Sequence, residues 1–473
     1  MSGFFGCASI KECVADVFYG TDYHSHLGTK RAGMAFYNGE NFVRSIHSLE
    51  SAYFRNKFEN ELPKFAGSKI GIGVISDSES QPVTITSHLG RFSVVTIGRI
   101  ANINQLAEEM LSEKVHFAEL SGSDINATEL VAVMISNCSS FEEGIKKVQQ
   151  KIQGSCSMLI LTCEGIYACR DKFGRTPIVI GKNPYGYAIA TESSSFPNLD
   201  YEFERELGPA EVVFVTAEGI KQVQNAGCRK QVCSFLWVYY GYPSSYFEGV
   251  NVEDSRNNNG GSLSLNDTEI AIDFVSGVPD SGIGHAVGYS NARKVDYKRA
   301  FVKYTPTWPR SFMPQNQNMR DLVAKMKIIP NKALICGKKM AIMDDSIVRG
   351  TQFKDNIVKL REAGVKEIHI RVACPPLVYP CLFLNFSVSR TTFDLYTRRV
   401  IRELEGTDVF SDELLAEYAD ESSEKHAQMI QYMAKQIDAD SLKFQKLSDL
   451  VKAIGLPKED LCTHCWDNSS YME

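Results

Sequence analysis

Two adjacent carboxylates at the end of an apolar run carry the most specific chemistry in this chain. In Met343-Asp-Asp-Ser-Ile-Val-Arg-Gly-Thr351, Asp344 and Asp345 can face ribose hydroxyls and the water shell of Mg²⁺, a hard cation that prefers oxygen ligands. Ser346, Val348, Arg349, Gly350 and Thr351 follow with small and polar side chains, a glycine, and backbone N–H groups left open at a helix start. Such a segment cradles phosphate. Paired aspartates also occur as a plain acidic turn before a helix cap, but the whole string, set between a buried strand and a helix, points to a phosphorylated sugar. A second group of chemistry-bearing residues is sulfur. Cys462-Thr-His-Cys465 is a C-x-x-C pair, and Cys233 and Cys381 stand elsewhere in the chain. Four thiolates suit a [4Fe–4S] cluster or zinc, although isolated buried cysteines are more often plain core residues.

The carboxylates need a strand behind them and a helix ahead. Lys339-Met-Ala-Ile-Met343 reads as that strand, and Phe353, Ile357 and Leu360 mark one face of the helix, which Gly364 closes. Glu367 to Ala373 reads as the next strand, making a βαβ unit and so a parallel sheet with a right-handed crossover. Upstream, Ile272 to Ser276 runs into the turn Gly277-Val-Pro-Asp-Ser-Gly282 and a helix through Ala286 and Tyr289. Ligands of open parallel sheets sit beyond the carboxyl ends of strands, which is where both turns fall. The run Asn257-Asn-Asn-Gly-Gly-Ser-Leu-Ser264 reads as an exposed loop, and Ser411 to Asp440 as acidic, amphipathic helix. Before about residue 230 the texture differs: short apolar segments at 69–75, 92–97, 157–162 and 211–216 alternate with occasional helices such as 104–111, a pattern of packed sheets covered by helices.

At 473 residues two domains are expected, 1–230 and 231–473. A net charge of −6 argues against sequence-blind nucleic-acid binding, which needs a broad basic surface. No apolar run reaches the roughly 18–20 residues that span a bilayer, and the N-terminus lacks the pattern of a signal peptide. A cytoplasmic location is therefore expected, with the 13 cysteines as thiols.

The segment 343–351 resembles the signature by which phosphoribosyltransferases bind phosphoribosyl pyrophosphate (PRPP). Together with Asn251-Val-Glu-Asp-Ser-Arg256, Gly277-Val-Pro-Asp-Ser281, Pro375-Pro376, Pro380-Cys381 and Ile437-Asp-Ala-Asp-Ser-Leu442, it makes nearly the whole chain similar to the amidophosphoribosyltransferase family. The resemblance implies an α/β and α+β protein: an N-terminal nucleophile (Ntn) hydrolase-like αββα sandwich, then a type I phosphoribosyltransferase domain on a parallel sheet. It places Mg²⁺ among Ser281, Asp344 and Asp345, pyrophosphate at Val278, Pro279 and Asp280, and loop cations at Lys303 and Arg310. It also makes Cys233, Cys381, Cys462 and Cys465 the ligands of a [4Fe–4S] cluster. Purine biosynthesis, purine nucleotide effectors and a homo-oligomer follow from the same likeness.

Departures from the family pattern cluster in the first domain. Ser2 stands where the glutaminase nucleophile is a cysteine; His-Arg-Gly becomes His26-Leu27-Gly28; the arginine for the glutamine carboxylate becomes Val74. The oxyanion Asn-Gly becomes Ile97-Gly98, and the aspartate for the glutamine amine becomes Ala127. Serine with a free α-amino group can act as a nucleophile, but losing an oxyanion donor costs about 10²–10³ in rate. The expected reaction is transfer of ammonia, or another small amine, to PRPP. Tyr242 in place of a family arginine, and the altered loop Lys303-Tyr-Thr-Pro-Thr-Trp-Pro-Arg310, keep open a catalytically silent PRPP- or nucleotide-binding regulator.

Overall fold

Phe4 and Phe5 are neighbours on one strand, yet they bury into different cores, because successive side chains of a strand point to opposite faces. That strand, Gly3–Ser9, sits in the middle of an antiparallel sheet of seven strands, between Gly186–Ala190 and Ile70–Ser76. The Phe4 face packs with Ile72 and Val74 against Val95, Ile97, Leu159 and Leu161 of a second, six-stranded sheet. The Phe5 face packs against Val14, Val17 and Phe18 of helix Val14–Asp22. On the far side of the second sheet, Val94 and Ile160 meet Leu106, Leu130 and Ile145 from helices Ile103–Ser112, Ala127–Ser136 and Phe141–Lys151. Helix, sheet, sheet, helix is the αββα sandwich expected. The computed structural model describes residues 2–121, 124–304, 328–384 and 391–469.

The second half is a parallel sheet of four strands in the order Phe274–Gly277, Lys339–Asp344, Glu367–Val372, Ser441–Phe444. Met340 and Ile342 face Phe353, Ile357 and Leu360 of helix Thr351–Glu362, the stripe read from sequence. Ala341 and Met343 face Leu263, Ala286 and Tyr289 on the other side. Gly364, at φ +89°, ends the helix as expected.

One expectation fails. Residues 257–264 are not a loop but the body of helix Val252–Leu265, capped by the Asn251 side chain, which accepts from Asp254 N at 3.0 Å. The glycines that suggested a loop serve helix contact instead. A Cβ on Gly260 would lie 1.8 Å from the His285 carbonyl, and one on Gly288 would lie 1.9 Å from that of Asn257. Two backbones therefore touch where helix Ile283–Arg293 crosses, and low helix propensity is the cost of that approach. Asn259 is buried and donates to Ala373 O at 2.6 Å.

The halves are joined by polar contacts. Arg170, buried, reaches Glu248 across the boundary at 2.8 Å, and Arg99 N donates to Phe383 O at 2.9 Å. No helix among the described residues is long and apolar enough to cross a membrane.

Candidate active site

Strand Lys339–Asp344 delivers its two carboxylates at its C-terminal end, with Asp344 and Asp345 only 9% and 6% exposed. The turn after strand Phe274–Gly277 meets them there. Val278 N donates to Met343 O at 2.8 Å, and Ser281 Oγ approaches Asp344 Oδ1 at 3.4 Å. Gly282 permits this, since a Cβ there would stand 2.3 Å from Met343 O. Asp345 N donates to Asp344 Oδ1 at 3.0 Å, and Ser346 Oγ to Asp345 Oδ2 at 2.5 Å. Burial, then the neighbouring Asp345 charge, push Asp344 well above the usual carboxylate range. Two acids forced together in low dielectric are poised for a cation.

Residues 346–350 wrap onto the start of helix Thr351–Glu362. Tyr396 N holds Val348 O at 2.8 Å, Arg399 Nη2 holds Arg349 O at 2.5 Å, and Gly350 adopts φ +73° against the Tyr396 ring. The Arg349 side chain stays exposed. Pro279 and Asp280 follow Val278 on the facing turn, where Lys303 Nζ reaches Asp280 Oδ2. Thus Val278, Pro279, Asp280, Ser281, Lys303 and 344–350 converge. Arg310 lies outside the described residues.

The four cysteines also converge. Strand Val232–Cys233 pairs in parallel with Leu461–Cys462, setting Cys233 beside Cys462. With Cys381 and Cys465 they line one small cavity, closed by Phe235, Phe383, Leu384, Trp466 and Arg175. A hydrogen bond from the Cys465 thiol, followed by backbone N–H groups, draws Cys381 down to about 7 against the effect of burial; burial pushes Cys462 up to about 11. Among the described residues no three His, Cys, Asp or Glu side chains gather around a single metal-ion position. All 13 cysteines are free thiols. Arg175 was missed from sequence: its Nη1 donates to Gly154 O at 2.9 Å and its guanidinium lies 3.7 Å over the Phe383 ring.

The glutaminase positions have a different fate. Ser2 is 4% exposed, its Oγ 3.4 Å from Ser76 Oγ. Val74 and Ile97 face the core between the sheets, where neither side chain can hold a carboxylate or donate to an oxyanion. Ala127 opens a helix capped by the Asn126 side chain, which accepts from Thr128 and Glu129 N. His26 is taken up by Glu192, 3.0 Å away. Burial works to raise Glu192, but the His26 and His24 interactions and the Tyr242 N–H outweigh it, leaving it below its ordinary value. Ile97, Gly98 and Ala127 line a cleft of about 770 Å³ whose wall also carries Lys30, Arg31, Asp77, Glu79, Arg99 and Arg349. Those charges come from separate segments with no common spacing, so no sequence pattern marked them.

Residues 68–198 match the model of the glutamine amidotransferase domain. An amidophosphoribosyltransferase of Synechocystis sp. is 30% identical over 406 residues, covering 80% of this chain and 79% of the relative. That of Methanocaldococcus jannaschii is 28% identical over 492 residues, covering 98% and 96%. Among solved structures, glutamine PRPP amidotransferase from B. subtilis, complexed with ADP and GMP, superposes with a TM-score of 0.85 at 25% identity, covering 100% of this chain and 97% of the other. On sequence and fold together, the chain belongs to the amidophosphoribosyltransferase family.

Proposed function

We propose that this protein transfers an amine, with ammonia in place of glutamine nitrogen, to the anomeric carbon of PRPP with release of pyrophosphate, in purine biosynthesis. Residues 1–230 are read as the amidotransferase-like domain and 231–473 as the transferase domain. The observation that carries the reading is the meeting of two loops at the sheet's C-terminal edge, where Val278 N bonds Met343 O beside the buried Asp344 and Asp345. Ser281, Asp344 and Asp345 would hold Mg²⁺, which when bound neutralises charge on the leaving pyrophosphate. Asp344 and Asp345 also orient the ribose hydroxyls. Backbone N–H groups of 346–350 and the helix start hold the 5′-phosphate, and the Val278–Ser281 turn, with Lys303, holds the pyrophosphate. Displacement at this carbon passes through a cation-like sugar, so fixed charge and positioning do more than a strong base would.

Cys233, Cys381, Cys462 and Cys465 would hold a [4Fe–4S] cluster. The donor set, four thiols around a cavity otherwise walled by aromatic and aliphatic groups and the Arg175 guanidinium, supports it. Its role would be to tie the chain's end to its middle. Purine nucleotide effectors and self-association belong to the same proposal.

The loss of both glutamine anchors supports the ammonia reading. Tyr242 favours a second one: half-exposed, its ring 5.4 Å from that of His26, it replaces a family arginine and suits a PRPP-binding regulator without turnover. Purified protein given PRPP, Mg²⁺ and ammonium chloride separates the two. Ammonium-dependent pyrophosphate release supports the transferase. PRPP binding by calorimetry without release supports the regulator. Absence of PRPP binding would refute both.

A further inference from the structure

The cleft at the positions that depart from the family's glutamine pattern is lined by cations. Lys30, Arg31 and Arg99 reach it from the first domain and Arg349 from the PRPP loop. Among the described residues none of these four enters an ion pair. Arg31 Nη1 is steadied by Ser80 Oγ at 2.9 Å and Arg99 Nη1 by Cys381 O at 2.8 Å, neutral acceptors that fix a guanidinium without cancelling its charge. The acids of the cleft are less available. Asp77 accepts from Thr29 N at 2.7 Å and Thr29 Oγ1 at 3.2 Å. Burial raises Glu79, against the Ser78 Oγ hydrogen bond that its carboxylate accepts and the weaker pull of the Lys30 charge. Glu50 and Asp124 stand exposed at the rim.

A second observation is independent of charge. Ser155, 1% exposed, lines the same cleft, and its Oγ has no hydrogen-bond partner. A buried hydroxyl left without a partner costs free energy unless something arrives to bond it. Beside it Gly98 runs at φ +110°, and Ile103 and Ile125 provide an apolar wall. Guanidinium and ammonium groups outside any ion pair suit carboxylate or phosphoryl oxygens, and the isoleucines suit the carbon skeleton of the same molecule.

We propose that this cleft is a receptor site for a small organic anion bearing a phosphoryl or carboxylate head. Its head binds among Lys30, Arg31, Arg99 and Arg349. Because Arg349 belongs to the loop that would grip PRPP, occupancy of the cleft and PRPP binding are coupled, and by linkage the coupling is reciprocal. The proposal rests on the reading that glutamine is not the occupant.

Calorimetry with AMP and with 2-oxoglutarate, each in saturating Mg²⁺–PRPP so that the C-terminal site is filled, tests it. The wild type is compared with Lys30→Glu, an exposed substitution at the rim, and Ala127→Phe, which sets a ring into the cleft from its wall. Binding of either probe that weakens at least tenfold in Lys30→Glu and disappears in Ala127→Phe supports the site, and the probe that binds identifies the head group. Failure of both probes to bind the wild type, or affinities unchanged in both variants, overturns it. Glutamine hydrolysis by the wild type overturns instead the reading beneath it, since glutamine would then be the occupant. PRPP isotherms on all three proteins, expected to stay within threefold without the probes, show that the variants are folded.

Discussion

Replacing Asp344 by Asn should strengthen the fold while removing the function. Asp344 and Asp345 are consecutive, both almost buried, and Asp345 N already donates to Asp344 Oδ1. Two like unit charges about 4 Å apart repel by about 4 kcal/mol at an effective dielectric of about 20, and desolvation adds to this. Asp344→Asn keeps the shape and the acceptor oxygen but removes the charge, so metal-free protein should gain about 1–4 kcal/mol near neutral pH. The pH dependence carries its own sign. A carboxyl whose folded pKa is raised binds protons more tightly folded than unfolded, so its contribution is fully present below about pH 3.8 and is lost as pH rises through the folded value. The advantage of Asp344→Asn should therefore shrink as pH is lowered. Urea unfolding of both proteins in chelator at several pH values measures it, and calorimetry in Mg²⁺ should show PRPP affinity down at least tenfold. Were the aspartate only a turn residue, the substitution would lower stability or change nothing and leave PRPP binding intact. Either result would refute the assignment.

Gly260→Ala should be severely destabilising, since its methyl group would have to occupy space 1.8 Å from the His285 carbonyl; separating the two helices costs more than about 3 kcal/mol, read as a lowered urea midpoint or loss of soluble protein. Cys462→Ser should abolish bound iron and the brown colour of anaerobically purified protein while the N-terminal sandwich stays folded; iron retained at the wild-type level would exclude the cluster assignment. His24 is buried and held down to about 4 chiefly by desolvation, so the unfolded chain takes up its proton first. Stability should fall by about 3 kcal/mol between pH 6.5 and pH 4 from this group, and unfolding curves of His24→Gln should lack that part of the slope.

Short-range signals were legible and tertiary ones were not. Strand 339–344, helix 351–362 and the Asp344-Asp345 loop could be read because apolar run, acid pair, helical stripe and terminal glycine lie within 26 residues of one another. The Val278 turn could be paired with that loop because parallel sheets collect their loops at one end. Helix Val252–Leu265 was misread because Asn and Gly lower helix propensity, while what holds the helix is contact with a second helix that no local window contains. The C-x-x-C pair was visible, but Cys233 and Cys381 were joined to it only by resemblance, and nothing in the sequence tied Arg175, in the family-like run Gly174-Arg-Thr-Pro177, to the cysteines. The departures from the family's glutaminase pattern could be read residue by residue. The cations that line the same cleft, from residues 30, 31, 99 and 349, required the folded chain.

The pairing of Val232–Cys233 with Leu461–Cys462 has a consequence for biogenesis. Sequential emergence from the ribosome lets the N-terminal sandwich fold early, but the second half lacks its closing strand until Leu461 and Cys462 have been translated, long after their partners Val232 and Cys233. A stalled or prematurely terminated product would leave the Phe235 and Trp466 region unsealed and its thiols open to solvent. Quality control thus has a built-in proofreading mark: only a polypeptide synthesised past Trp466 can hide that sulfur-lined seam.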